Sequence, residues 1–305
     1  MVPATVAPAV IANNDLLLQR NKSVTILQSF GDHVHNELVL LAPAGCFIPK
    51  SFTRRCADRN SHARLLSEAQ RVRGAIYLAD GAVRASQLTA DGRHVQSSDY
   101  DSWHLLAVGG NGEVQGCARY RHLTGKVDFD DLAVRESWLA RCDQWGRSLR
   151  AAVESEIGLA KQRGTAFSEV GGWAMVPEKR CTVAALRIAM ATYSLAQILG
   201  GCVGISTATE RHRSSSILRR IGGRPLEYGG TALPSYYDPQ YRCRMEVLRF
   251  DSCSPVDSCR RLVEQLSKRL ADVSVVVARD PADGRYAPPP PLVQWPAQPQ
   301  FGWLT

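Results

Sequence analysis

Arg119 and Arg121 alternate in the run Ala118-Arg119-Tyr120-Arg121, so on a strand both side chains project from one face. Two neighbouring guanidinium groups can grip a carboxylate through paired hydrogen bonds; a solvated strand edge is the other reading. Asp99 and Asp101 lie just ahead of the apolar run 103–108, where acids either shape a turn or touch a substrate. Cys117 and Cys181 carry nucleophilic sulfur, yet no base is recognisably paired with either, so each reads as a small apolar side chain. His104 and His122 fall on strands and read as core or hydrogen-bonded histidines. His33 and His35 flank Val34 with no acid or cysteine at ligand spacing, so no metal site is expected. Arg211, Arg213, Arg219 and Arg220 gather around one helix, as a solvated face or as a surface for an acidic partner.

The elements that must position these groups centre on residues 168–223. SEVGGWAMVPEKR reads as a strand closed by Pro177, and the segment after Arg180 is apolar on almost every face, with Arg187 its one charge. Such a helix belongs in the middle of a domain, against a sheet. Gly200-Gly201 ends it in a left-handed cap, and 203–209 returns as a strand. Strand, helix, strand at this length is a crossover, so the two strands should be parallel. Upstream, apolar residues at 65, 66, 69, 72, 76 and 77 mark a helix over 63–78. Strands at 103–108 and 114–120 flank Asn111-Gly112, a hairpin signal.

At 305 residues the chain can bury a substantial core. No run of eighteen apolar residues is free of charge, and the opening VPATVAPAVIANN lacks a basic start, so neither a membrane span nor a secretory signal is expected. Nine scattered cysteines without a C-x-x-C pair fit reduced thiols in the cytoplasm. The net charge of +8 points to an acidic partner or to an arginine-rich composition. No helix-turn-helix or zinc-finger spacing is present, so nucleic acid is not expected.

The order strand, V-P-E-x-R, helix, strand, short helix ending Ile221-Gly222-Gly223 resembles the acyl-CoA-binding core of the GNAT acyltransferases. The resemblance implies an α/β (α+β) fold, a mixed central β-sheet with helices on both faces. It also implies a phosphate-holding turn at Arg180, Cys181, Thr182, Val183, Ala184 and Ala185, where a helix N-terminus offers backbone donors. Arg180 and Ala185 fit that turn; Val183 stands where the family has its first glycine and hinders close approach of a diphosphate. Arg73-x-x-x-Tyr77, then Asp99 and Asp101, then G-E-V-Q-G-C-A-R over 112–119, then Glu169 is similar to the acyl-homoserine-lactone synthases and the N-acyl amino acid synthases. The acid spacing is D-x-D rather than D-x-x-D, and Gly172 stands where autoinducer synthases carry arginine. Both departures favour the N-acyl amino acid branch.

This likeness implies an N-acyltransferase moving a long acyl chain from an acyl carrier protein to the α-amine of an amino acid or related small amine; the alternatives are N-acetylation from acyl-CoA, or a carrier-protein or nucleic-acid binding module that keeps the fold without the chemistry. No tightly bound cofactor is implied; the co-substrate is an acyl-phosphopantetheine thioester, and the product a lipid. Glu169 is the expected base, and the backbone N–H groups of Trp173 and Ala174 the expected carbonyl polarisers. Arg73, Tyr77, Asp99, Asp101, Arg119 and Arg121 are the expected substrate contacts. Leu218 occupies the place of the family's acid tyrosine, and Tyr193 reads as core.

The chain divides into an extension (1–60), an acyltransferase core (61–255), a helix and strand (256–280) and a proline-rich tail (281–305). Within the core, 126–161 reads as a connector with a helix carrying Trp138 and Trp145 on one face, and the aromatic loop 226–241 as a cover for the acceptor site.

Overall fold

The structure, a computed structural model, describes residues 36–180 and 182–278. A strand expected at 23–30, His33 and His35, Cys181 and the tail from 281 lie outside the described residues.

In chain order the elements begin with β1 (Asn36–Ala42), β2 (Arg54–Ala57), α1 (Arg59–Ala79), β3 (Trp103–Gly109) and β4 (Val114–Leu123). Then come α2 (Gly146–Gln162), β5 (Ala166–Met175), α3 (Val183–Ile198), β6 (Cys202–Thr209) and α4 (Ser214–Arg220). Four short strands come next, β7 (Arg224–Pro225), β8 (Glu227–Tyr228), β9 (Thr231–Ala232) and β10 (Tyr236–Asp238). The described chain ends with β11 (Cys243–Asp251), α5 (Asp257–Leu270) and β12 (Ser274–Val277). A ten-stranded sheet runs β10-β11-β6-β5-β4-β3-β1-β12-β2, with β7 beside β11. β5 is parallel to β6, as the crossover reading requires, and β12 is parallel to both β1 and β2. The segments set apart at either end of the sequence therefore supply strands to the same sheet.

Alternation along the strands sorts the core into two layers. Leu40, Leu105, Ala118 and Tyr120 face α3, whose Ile188, Ala191 and Leu195 are buried against them. Leu41, Leu106 and Cys117 face the other way, onto Leu65, Leu66 and Ala69 of α1. α2 covers Phe167, Val203, Ile205 and Val247 with Leu149, Ala152 and Val153. On the far side, α5 packs Leu262, Val263 and Leu266 over Met190 and Tyr193 of α3. α3 thus lies between the sheet and α5, which explains its nearly uncharged surface. Its left-handed stop is present, with Gly200 at φ 101° and Gly201 at φ 87°.

One expectation changes. The connector helix starts only at Gly146, so Trp138 and Trp145 do not share a helix face. Before it, Phe129–Asp131 and Ala133–Glu136 are short 3₁₀ turns, and Phe129, Leu132, Val134 and Leu139 reach the α2 cluster from them. Three-residue turns reproduce the apolar spacing of a helix over this length. The polar stretch 50–64 contains β2, an exposed edge strand with two arginines that gives no alternation to read.

Candidate active site

The parallel register of β5 and β6 runs from Ala166 opposite Cys202 to Val170 opposite Ser206 and stops there. Beyond it the strands part, because β5 carries a bulge. Arg119 lies opposite Gly171 and Cys117 opposite Ala174, so two steps on β4 face three on β5. Gly172 makes the bulge at φ 63°, and a Cβ there would lie 3.2 Å from Nη1 of Arg73 and 3.3 Å from Cβ of Arg119. The chain has glycine at this point because the backbone is left-handed and Arg73 fills the space beside it.

The gap holds a cavity of about 630 Å³. Gly171, Gly172, Trp173, Ala174 and Met175 form one wall, and Thr207, Ala208 and Thr209 of β6 the other. Ala185, Ala189 and Thr192 of α3 and Ile217 and Leu218 of α4 make an apolar side. Tyr77, Gln96, Arg119, Glu169, Tyr236, Asp238 and Tyr241 make a polar one. Burial raises the phenol pKa of Tyr77, Tyr236 and Tyr241 above its usual range, so these hydroxyls stay protonated. Three buried donors among the lining residues, Nε of Arg119, Nε1 of Trp173 and the Tyr236 hydroxyl, have no hydrogen-bond partner.

Behind the polar wall lies a charged layer. Asp99 accepts from Nη2 of Arg73 at 2.6 Å, Nη1 of Arg119 at 3.0 Å, and Nε2 of Gln70 at 3.0 Å. The Gln96 backbone N–H adds a further bond at 3.0 Å, and Nε2 of His104 lies 2.7 Å from the Asp99 carbonyl. Burial alone would push the Asp99 carboxyl up; the Arg73 and Arg119 guanidiniums outweigh it and hold the group well below the usual carboxylate range. Burial pushes His94 and His104 down to about 4, so both rings are neutral at pH 7.

Arg121 bonds Asp101 at 2.8 Å and the Asp131 carbonyl at 2.8 Å, and it lies 3.6 Å from Glu169. The two oxygens of Glu169 accept the backbone N–H groups of Ala133 and Val134, each at 2.9 Å. Glu169 therefore fastens the second 3₁₀ turn to β5 while still lining the cavity.

Of the expected substrate contacts, Tyr77 and Arg119 reach the cavity wall. Arg73 and Asp99 neutralise each other in the buried layer behind it, and Asp101 and Arg121 pair with each other outside it, where Asp101 is half exposed. The strand-edge reading of Arg119 also fails, since the side chain is 7% exposed. Glu169, Trp173 and Ala174 line the cavity together. At the expected phosphate turn, Arg180 and Ala185 reach it. Thr182 caps α3 by accepting the Ala184 N–H, and the Val183 side chain packs in the α3–α5 cluster. Burial pushes the Cys117 thiol up to about 11, in keeping with an inert core cysteine. Tyr193 packs edge-on against Phe250 in the core.

Sequence alone did not single out Tyr236, Asp238 and Tyr241, although it marked their aromatic loop as a cover. It also missed His212, whose signal lies in the run Arg211-His212-Arg213 directly after a cavity strand. Among the described residues no group of His, Cys, Asp and Glu could hold a metal ion, and no helix is long and apolar enough to cross a membrane.

No protein-family model matches the chain, and no curated protein matches it. Solved structures are similar to it. One is the CoA-dependent acyl-homoserine lactone synthase BjaI with SAM and isopentyl-CoA, at 16% identity over 79% of this chain and 92% of that one, TM-score 0.46. Another is FeeM, an N-acyl amino acid synthase from uncultured soil microbes, at 11% identity over 72% and 92%, TM-score 0.40. A third is arylalkylamine N-acetyltransferase 2 from Aedes aegypti, at 17% identity over 62% and 95%, TM-score 0.42. The mixed sheet with helices on both faces and the parallel β5–α3–β6 unit match the fold class expected from the sequence.

Proposed function

We propose that the protein transfers an acyl group from a phosphopantetheine thioester to the amine of a small acceptor. The observation that carries this reading is the cavity where β5 and β6 part, apolar towards α3 and polar towards Arg119 and Glu169. The apolar side takes the acyl chain, and the bulge offers the backbone N–H of Trp173 to the thioester carbonyl, while that of Ala174 faces Cys117 in the β4–β5 ladder. Once its ammonium proton is removed, the acceptor nitrogen attacks that carbon, the C–S bond breaks, and the second proton shed by the nitrogen goes to the departing sulfur, which leaves as a thiol. Glu169 takes the ammonium proton through a water; each of its oxygens gives one lone pair to the 3₁₀ turn and keeps one. A carboxylate on the acceptor would satisfy the unpartnered Nε of Arg119, which supports an amino acid in that place. The donor arm is that of an acyl carrier protein, with acyl-CoA the alternative.

The test is incubation of the purified protein with a long-chain acyl-phosphopantetheine thioester and mixed amino acids, following thiol release and N-acyl products by mass spectrometry. Amide formed in step with thiol supports the proposal. Thioester that stays intact with every acceptor, while the protein remains folded, sinks it.

A further inference from the structure

Four carboxylates line the cavity, those of Asp80, Glu136, Glu169 and Asp238. The first three have a cation beside them. Asp80 lies 3.7 Å from Arg180, Glu136 bonds Arg141 at 3.0 Å, and Glu169 lies 3.6 Å from Arg121. Asp238 is the exception. It is only 8% exposed, yet among the described residues it pairs with no arginine, lysine or histidine. Arg211, which also borders the cavity, spends its guanidinium on the backbone carbonyls of Asp80, Tyr241 and Arg242.

The strand that carries Asp238 sets its direction. Tyr236 and Asp238 are two apart on β10 and both are buried, while Tyr237 between them is 53% exposed, so the pair projects to the cavity side. Oδ1 of Asp238 accepts the backbone N–H groups of Gln240 at 2.9 Å and Tyr241 at 3.2 Å. That turn brings Tyr241 back over the cavity to meet the ring of Tyr77 edge-on, with centroids 6.5 Å apart. Oδ2 accepts from no described residue, and the Tyr236 hydroxyl on the same strand face has no partner either. A buried carboxylate is stable beside a cation or among enough donors, and here only one of its two oxygens is answered.

We propose that Asp238 and Tyr236 form a cation subsite, and that the acceptor is an amino acid whose side chain ends in an ammonium or guanidinium group. The inference rests on the acyl-transfer reading, in which Arg119 takes the acceptor's carboxylate and Glu169 serves its α-amine. The side-chain cation brings Asp238 the charge that the protein does not supply. Its N–H groups donate to Oδ2 and to the Tyr236 oxygen, and Tyr77 and Tyr241 offer ring surface to its alkyl stem. A neutral side chain of the same length buries Oδ2 without answering it and is disfavoured for that reason.

Calorimetric titration reads the subsite without turnover. Wild type, Asp238→Asn and Tyr236→Phe are each titrated with lysine and arginine, and with norleucine and citrulline, their neutral counterparts of similar shape. Asn keeps an oxygen for the N–H groups of Gln240 and Tyr241 and removes only the charge. In wild type, lysine or arginine is expected to bind about tenfold tighter than its counterpart or better, the weight of one charge-assisted hydrogen bond. Asp238→Asn removes that preference and leaves the neutral ligands where they were, and Tyr236→Phe narrows it roughly threefold. A preference shown by lysine alone or by arginine alone supports the subsite and names its cation. Equal affinity for charged and neutral ligands in wild type, no binding by any of them, or a preference that survives Asp238→Asn overturns the inference. Amide formed as readily from norleucine as from lysine leaves acyl transfer standing and removes the subsite. A preference that depends on Asp238 without amide formation does the reverse.

Discussion

Replacing Asp99 by Asn keeps the shape of the side chain and removes the carboxylate that Arg73 and Arg119 share. Arg73 and Asp99 are 1% and 0% exposed in their side chains, so water cannot stand in for the lost charge. Breaking a buried ion pair from one side costs about 3–5 kcal/mol, because the remaining charge stays desolvated and unpaired. At about 2–4 °C per kcal/mol for a large domain, the melting temperature falls by roughly 6–20 °C. The pH dependence supplies an internal control. The Asp99 carboxyl is held below its unfolded value, so its stabilisation is fully present above the ordinary carboxylate range and is lost as pH falls through the folded value. The gap between wild type and variant is therefore complete at pH 7 and narrows below about pH 4. Urea unfolding followed by tryptophan fluorescence measures both. A variant within about 1 kcal/mol of wild type at pH 7 would refute the reasoning that this carboxylate neutralises the layer behind the cavity.

Three other outcomes are expected. His94 and His104 are pushed by burial to about 4 and titrate near 6.5 when unfolded, so their neutral forms stabilise the fold above pH 6.5. That stabilisation drains as pH falls towards 4, by at most about 4 kcal/mol for the pair at pH 5; a flat urea-unfolding profile between pH 7 and 5 contradicts it. Gly172→Ala puts a Cβ against Arg73 and Arg119 at positive φ and destabilises by about 1–2 kcal/mol, readable in the thermal midpoint. Glu169→Gln offers one acceptor where two backbone N–H groups point, costing about 1–3 kcal/mol of stability. It also lowers kcat by about 100-fold or more; an unchanged kcat would reduce Glu169 to a fastener of the 3₁₀ turn.

The crossover at 168–223 was legible because a helix buried on both sides carries a single charge, Arg187, and because Gly200-Gly201 marks its end. The hairpin of β3 and β4 was legible from Asn111-Gly112. β2 was not, since an edge strand open to solvent needs no apolar alternation. The site was legible by residue type and less so by role. Arg73, Asp99, Arg119, Arg121 and Asp101 were singled out, yet spacing alone does not tell a charge aimed at a ligand from one aimed at another charge. Glu169 shows the same limit, because its two backbone partners lie 35 and 36 residues away in sequence. The feature that no local pattern encodes is Asp80, which reaches across 132 residues to meet His212.

The most direct measurement is mass spectrometry of lipid extracts from a host expressing the protein, beside a host expressing Glu169→Gln at equal soluble yield. New N-acyl compounds in the first that are absent or strongly reduced in the second are the predicted result, and they identify acceptor and chain length together. Extracts that cannot be told apart from each other and from the empty host would contradict acyl transfer to an amine as the work of this cavity.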